Sequence, residues 1–154
     1  MATSGTLIVK VVEARLTRDA ETFGTQDPYV EIEHRMEKFK TKVATDGGKN
    51  PKFNEEFTYN VKYIGDDFHM RIMNKNVIQS DDVLAQATIK VSGLCVNGGM
   101  DDWWKVQYKG KDGGSIHFIA TWQPAGQAGQ AQLAQKTMQI DAMKQQQMAL
   151  QMQQ

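Results

Sequence analysis

Hydrophobic and polar residues alternate along most of the chain with a period of two, the spacing that turns successive side chains to opposite faces of a strand. Thr6 to Ala14 is rich in β-branched residues, with apolar positions on both faces, as expected of a strand covered on much of its outside as well. Tyr29 to His34 is a second predicted strand. In the third, Phe39, Thr41 and Val43 alternate with Lys38, Lys40 and Lys42, an arrangement that gathers three lysines on one side. Glu55 to Lys62 sets Phe57, Tyr59 and Val61 against Glu56, Thr58 and Asn60, and Phe68, Met70 and Ile72 repeat the period after a turn at Gly65-Asp66-Asp67. Leu84 to Val91 follows, with Ala87, Ile89 and Val91 predicted to face inward. Trp104 to Tyr108 and Ser115 to Trp122 close the set as a hairpin around Lys109 to Gly114. Eight short strands, without a convincing helix between them, imply an all-β antiparallel sandwich whose core includes Phe57, Tyr59, Val61, Met70, Ile72 and Phe118. Gly93 to Asp102 is the least regular connection, and Trp103 and Trp104 are assigned to packing in or just under the surface.

The composition changes after Pro124, which divides the chain into a domain over 1–124 and a Gln/Met-rich tail over 125–154. Twelve of the sixteen glutamines lie from Gln123 onward, and no proline interrupts Gln130 to Gln154, so the segment has the makings of a helix of roughly 25 residues. Leu133, Ile140, Met143 and Leu150 fall within about 100° of arc at helical spacing, forming a narrow apolar stripe, while Met138, Met148 and Met152 lie outside it. A helix so poor in charge is marginal alone, which points to order gained on a partner or a second copy. The alternative is a disordered glutamine-rich extension.

Charge and chemistry narrow the function classes. Lys plus Arg equals Asp plus Glu, 18 against 18, so no overall field selects nucleic acid. Cys95 is the single cysteine, in an apolar context, and reads as a small buried hydrophobe. No stretch approaches the ~20 apolar residues of a membrane span, which leads to the expectation of a cytoplasmic protein, peripheral to a membrane or associated with the cytoskeleton. His34, His69 and His117 have no neighbours at metal-ligand spacing, and no nucleophile-elbow, Walker or dinucleotide motif occurs, so no enzymatic activity is expected.

Phe23 to Val30, F-G-T-Q-D-P-Y-V, carries the strongest local signal. Gly24 frees the turn, Pro28 fixes its own φ and holds Asp27 extended, and the acid is thus positioned at the mouth of a strand. Loop ends of sandwiches are where such folds keep binding residues.

The opening strand L-I-V-K-V-V-E-A, the motif F-G-T-Q-D-P-Y-V-E-I, the segment G-G-K-N-P-K-F-N-E-E-F-T-Y, and M-R-I-M-N-K-N ahead of S-D-D-V-L-A-Q-A-T-I together resemble a C2 domain. The likeness spans Gly5 to about Pro124 and is strongest to the small single-domain type of plants and protists. It implies that acidic side chains from two loops converge on calcium, which bridges to anionic phospholipid. By position these are Glu21 and Asp27 from the first loop and Asn74, Asn76 and Asp82 from the third. One is Glu and two are neutral Asn where the family has aspartates, so the formal ligand charge falls from five negatives to three. Asp19 and Asp81 flank the set as spare acids, and calcium binding is expected to be weak or lost. The resemblance also places Phe23, Val77 and Ile78 at the loop tips, where they enter a bilayer or meet a protein. It assigns Lys38, Lys40 and Lys42, with Arg35, Lys62 and Lys109 as neighbours, to a basic patch for phosphoinositide head groups, unless Glu31, Glu33 and Glu37 neutralise it. Two readings follow. One is a non-catalytic binding module for anionic membrane surfaces or proteins, and the other a structural subunit of a stable cytoskeletal or ciliary assembly docked through its loops and C-terminal helix.

Overall fold

The computed structural model describes residues 3–21, 23–126, 140 and 142–150. Eight strands form in chain order: β1 (Gly5–Leu16), β2 (Pro28–His34), β3 (Glu37–Lys40), β4 (Lys52–Val61), β5 (Asp67–Asn74), β6 (Asp82–Lys90), β7 (Gly99–Tyr108) and β8 (Lys111–Pro124). Every pairing is antiparallel, in the order β3-β2-β5-β6-β7-β8-β1-β4. The ladder nearly parts in its middle, where β6 and β7 share the single pair Gln86 and Gln107. Two four-stranded layers result, and their inner faces meet: the Tyr59 ring of β4 lies 4.7 Å from Phe68 of β5 and 4.5 Å from Phe39 of β3. This is the antiparallel sandwich that the alternating pattern predicts.

Tyr59, Val61, Met70, Ile72 and Phe118 are buried in that interface, as expected. Phe57 is the exception and is only half-buried. β3 and β4 are the two free edges of the order, and Phe57 fills the gap between them with its ring 5.3 Å from Phe39.

Bulges account for several departures from strict alternation. In β6 the pairing with β5 slips between Ile72 and Met73, so Leu84 and Ala85 both turn inward, and Ala87 is left half-buried. β1 slips between Val11 and Glu13, which puts Val11 and Ala14 inside while Val12 stays half-buried. The final hairpin is tighter than its composition suggests, because Tyr108 already pairs with Lys111. Lys109 (φ 49°) and Gly110 (φ 77°) make the two-residue turn, whose twist suits the flanking strands. Gly114 is a β8 residue at φ 113°, where a Cβ would fall 1.9 Å from the Arg15 carbonyl oxygen of β1.

β3 stops at Lys40, earlier than the sequence pattern implies. The Thr41 hydroxyl accepts the Val30 N–H at 2.9 Å, and Lys42 and Val43 follow outside the strand. Between β6 and β7 the chain makes a short helix, α1 (Val91–Leu94), and a 3-10 turn, Val96–Gly98. Trp104 packs against the core there, whereas Trp103 lies on the outer face, stacked 5.0 Å from His117 with the Arg15 guanidinium 4.5 Å from its ring. Cys95 is buried, which pushes its thiol up to about 11. In the tail, residues 140 and 142–150 are helical and exposed. Ile140, Met143, Met148 and Leu150 belong to this segment, while Leu133, Met138 and Met152 lie outside the described residues.

The Tyr59 hydroxyl is buried without a hydrogen-bond partner among the described residues. Removing an unsatisfied polar atom while keeping the ring is favourable, so Tyr59→Phe is expected to raise unfolding stability by up to ~1 kcal/mol. Tyr59→Ala, which empties the centre of the aromatic cluster, is expected to cost ~3–5 kcal/mol in the same urea titration.

Candidate functional site

Three loops meet at the end of the sandwich where β2 and β6 begin and β1 and β5 end. Two buried amides tie them together. Gln26, fully buried, donates through Nε2 to the carbonyls of Arg18 (2.8 Å) and Gly48 (2.9 Å), and its Oε1 accepts the Ala20 N–H at 2.9 Å. It therefore pins the first loop to itself and to the loop between β3 and β4. A glutamine in a polar loop gives no sequence signal for such a role. Only its lack of solvent contact reveals it.

Asn74, equally buried, joins the first loop to the third. Its Oδ1 accepts the Asp27 N–H at 2.8 Å, and the Lys75 N–H donates to the Asp27 carbonyl at 3.0 Å. With the oxygen so occupied, Nδ2 turns toward the acids and donates to Glu21 Oε1 at 2.7 Å and Asp82 Oδ2 at 3.3 Å. Asn76 donates to the same Asp82 oxygen at 3.0 Å and to the Ser80 carbonyl at 2.9 Å. Glu21, Asn74, Asn76 and Asp82 thus form one side-chain network. Asp27 joins it through its backbone, while its own Oδ1 accepts the Asp46 N–H at 2.7 Å.

The network is built of N–H donors facing carboxylates. A hard cation needs oxygens converging on it. For Asn74 to supply one it must turn over, which sets its NH2 against the Asp27 N–H and leaves two donors facing each other in a buried place. Asp19 is also engaged, its Oδ1 accepting the Glu21 N–H at 2.9 Å. Asp81 has a structural task. It accepts from the Asn76 N–H at 2.9 Å and the Tyr29 hydroxyl at 2.5 Å, with Lys75 3.7 Å away. The Asn76 N–H and the Tyr29 hydroxyl hold the Asp81 carboxyl below the usual range; burial, then Asp81, raises the Tyr29 hydroxyl. Sequence reading places Asp81 only as a spare acid and Tyr29 only as a strand residue.

Beyond this polar base the loop tips are apolar and bare: Phe23 is 91 % exposed, Val77 99 % and Ile78 100 %. Each points away from the core, and none folds back to close its loop.

The three lysines do not form one free ridge. Lys38 pairs with Glu33 at 3.0 Å and Glu31 at 3.2 Å, and Lys40 approaches Glu31 at 4.0 Å. Arg71 of β5 reaches the same two acids at 2.9 and 3.7 Å. Burial alone would raise the Glu31 carboxyl, but its hydrogen bonds from Lys38 and Arg71 outweigh this and hold it below the ordinary value. Three cations against two carboxylates leave this face close to neutral. Lys42, outside the strand, is exposed and makes no ion pair among the described residues. Arg35 is tied to Asp66 at 2.7 Å, next to His34 at 2.9 Å from the same oxygen.

A two-layered antiparallel sandwich with three loops tied together at one end defines the class of fold. Residues 5–106 match the C2 domain family, and the chain belongs to it. Elicitor-responsive protein 1 of Oryza sativa subsp. japonica is 34 % identical over 113 residues, covering 69 % of this chain and 71 % of that protein. The 16 kDa phloem protein 2 of Arabidopsis thaliana is 34 % identical over 94 residues, covering 61 % of this chain and 64 % of its own length. Among solved structures, a C2 domain-containing protein from a putative elicitor-responsive gene superposes with a TM-score of 0.68 at 30 % identity, over 81 % of this chain and 93 % of that one. The C2A domain of plant Extended Synaptotagmin 1 gives a TM-score of 0.73 at 19 % identity, over 82 % of this chain and all of that one, a likeness of fold. No helix among the described residues is long and apolar enough to cross a membrane.

Asn74→Ala is expected to destabilise the protein by ~1–3 kcal/mol, since it strands the Asp27 N–H and removes the donor between Glu21 and Asp82. Chemical denaturation measures this directly. Acid gives a second test. A carboxyl whose folded pKa is depressed stabilises above its unfolded value and loses that contribution as pH falls, so Asp81 should weaken the fold below about pH 4. Asp81→Asn is expected to be less stable at neutral pH and to show a flatter acid limb in thermal melts.

Proposed function

We propose that this protein is a non-catalytic C2 module that binds anionic membrane surfaces through its loop end, with weak or absent dependence on calcium. The observation that carries the reading is the Asn74 amide. Its NH2 group lies among Glu21, Asn76 and Asp82 and already supplies the positive end of a dipole that these oxygens need. The loops are thereby held in place by hydrogen bonds within the protein. Glu21, Asp27, Asn74, Asn76 and Asp82 then serve as a scaffold, and contact falls to Phe23, Val77 and Ile78, helped by Lys42 and the surplus charge beside Lys38 and Lys40. Exposed apolar side chains at loop tips suit the headgroup boundary of a bilayer, and each nearby lysine adds about 1 kcal/mol of attraction to anionic lipid.

The second reading, a structural subunit of a cytoskeletal or ciliary assembly, is favoured by one observation: the helix of the tail, which follows the last strand in sequence and is exposed along residues 140 and 142–150. A protein surface would cover the same three loop tips.

The test is co-sedimentation with vesicles of phosphatidylserine and phosphatidylcholine in the presence of a calcium chelator. Retention is expected on the mixed vesicles, to fall as salt rises, and to be unchanged by calcium. Phe23→Ser combined with Val77→Ser and Ile78→Ser is expected to lower it by at least about tenfold, the loss that follows if even one of the three side chains withdraws ~1.5 kcal/mol of apolar burial. Equal retention on pure phosphatidylcholine would reject the electrostatic part, and no retention on either would leave the assembly reading. Asn74→Asp with Asn76→Asp should make the loops calcium-responsive, seen as a calcium-dependent rise in melting temperature absent from the parent protein.

A further inference from the structure

Where the ladder nearly parts between β6 and β7, the seam is walled by two cations. A cavity of about 300 Å³ lies there, lined by Arg18, Asp82, Val83, Gln86, Tyr108 and Lys109. A second, of about 480 Å³, adjoins it by sharing Gln86 and Lys109, and adds Thr88 and Gln107 among its lining.

Arg18 is held in place from three directions. Gln26 Nε2 fixes its carbonyl at 2.8 Å, its own Nη1 donates to the Val83 carbonyl at 3.0 Å, and its guanidinium lies 4.3 Å from the centre of the Tyr108 ring. The Lys109 amine approaches the same ring at 5.3 Å. It does so from a left-handed backbone, φ 49°, at a turn position that favours asparagine, aspartate or glycine. Thr17 fastens the first loop to the start of β8, its N–H donating to the Gly113 carbonyl and its hydroxyl to the Asp112 carbonyl, both at 3.1 Å. The two cations therefore belong to one tied unit. Neither has a carboxylate partner among the described residues, in contrast to Arg35, Lys38, Lys40 and Arg71. The acid of the cavity, Asp82, has Oδ2 engaged by the amides of Asn74 and Asn76 at 3.3 and 3.0 Å. A half-buried guanidinium with one protein acceptor keeps most of its five N–H donors for another group.

We propose that Arg18 and Lys109 form a binding site for a phosphate monoester, the guanidinium donating to the phosphoryl oxygens and the ammonium meeting the second charge. A monoester carries about −1.5 to −2 at neutral pH, which suits two cations, whereas a diester carries a single charge and leaves one of them unmet. The planar fork of arginine fits phosphate and stacks on aromatic faces, and a fork already immobilised on Tyr108 and Val83 loses little freedom when the ligand arrives. Gln86, Thr88 and Gln107 in the adjoining cavity offer hydrogen bonds to a polar body carried by the ester. Soluble and lipid-borne monoesters share this chemistry. The site does not rest on the loop tips and stands equally if those meet a protein.

The experiment is a 1H–15N NMR titration of the full chain with glycerol 3-phosphate and, separately, with dimethyl phosphate at constant ionic strength. Saturable shifts are expected at the Arg18 Nε–H and at the Lys109 and Gly110 amides with the monoester, and weaker binding with the diester. Lys109→Asn removes the charge yet suits the left-handed turn, and is expected to weaken the monoester about three- to fivefold. Arg18→Gln is expected to weaken it at least about tenfold. Lys52→Gln, which removes an exposed charge from β4, leaves the affinity unchanged. Shifts that never saturate, equal affinity for the two esters, or a loss with Lys52→Gln as large as with Lys109→Asn would each overturn the site. No membrane is present in this titration, so its failure is distinct from failure of the loop-end reading. Sedimentation with phosphatidylcholine vesicles that carry phosphatidic acid, a monoester, or phosphatidylglycerol, a diester, at matched surface charge then identifies the source. Retention lowered by Lys109→Asn on phosphatidic acid alone supports a lipid head group, and retention indifferent to it on both supports a soluble ester. An equal loss on both lipids would reject monoester recognition.

Discussion

The hydrogen bond from the Asp27 N–H to the buried Asn74 side chain is the constraint on which the loop end depends. Once Oδ1 is committed to that backbone group, the NH2 has only one direction left, and it faces Glu21 and Asp82. Three loops with no regular structure are thus held by one amide from β5 and a second, Gln26, that closes the first loop on its neighbour. Buried amides of this kind must satisfy all their groups or cost more than they contribute. Beyond these satisfied amides, Phe23, Val77 and Ile78 stand in solvent.

Electrostatics on the broad face of the first layer follow a different logic. Glu31 and Glu33 of β2 lie between the lysines of β3 and Arg71 of β5, so opposite charges alternate across neighbouring strands. Such pairs stabilise cross-strand contact modestly and cancel the field that the lysines alone would create. Attraction to a polyanion on this face is therefore weak and short-ranged, and the apolar tips carry a correspondingly larger share of the contact proposed for the loop end.

The strand pattern was legible because burial on one face imposes a period of two that no other element shares. It identified eight strands and five of six core positions, and it failed where a residue is inserted into or withdrawn from the ladder. Leu84 faces inward beside Ala85 because β6 bulges, and Lys42 leaves β3 because the Thr41 hydroxyl takes the Val30 N–H. Neither event leaves a local trace. Of the candidate site, Glu21, Asn74, Asn76 and Asp82 were recognisable through the resemblance to a C2 domain, whereas the roles of Gln26, Tyr29 and Asp81 were not, since their partners lie far along the chain or in the backbone of other loops.

By itself, the sequence determined the alternating strands of the sandwich and the change of composition after Pro124, and its resemblance to C2 domains marked Asn74 and Asn76 as amides where that family has acids. The first two are properties of local composition and periodicity, which short windows of the chain carry. Tertiary structure alone decided which atoms of Asn74 face the acids, that Lys38 and Lys40 are paired, and that Arg18 and Lys109 meet over the Tyr108 ring. Each depends on groups brought together from separate strands, and no one-dimensional pattern encodes the direction in which a side chain points once its neighbours have claimed the alternatives.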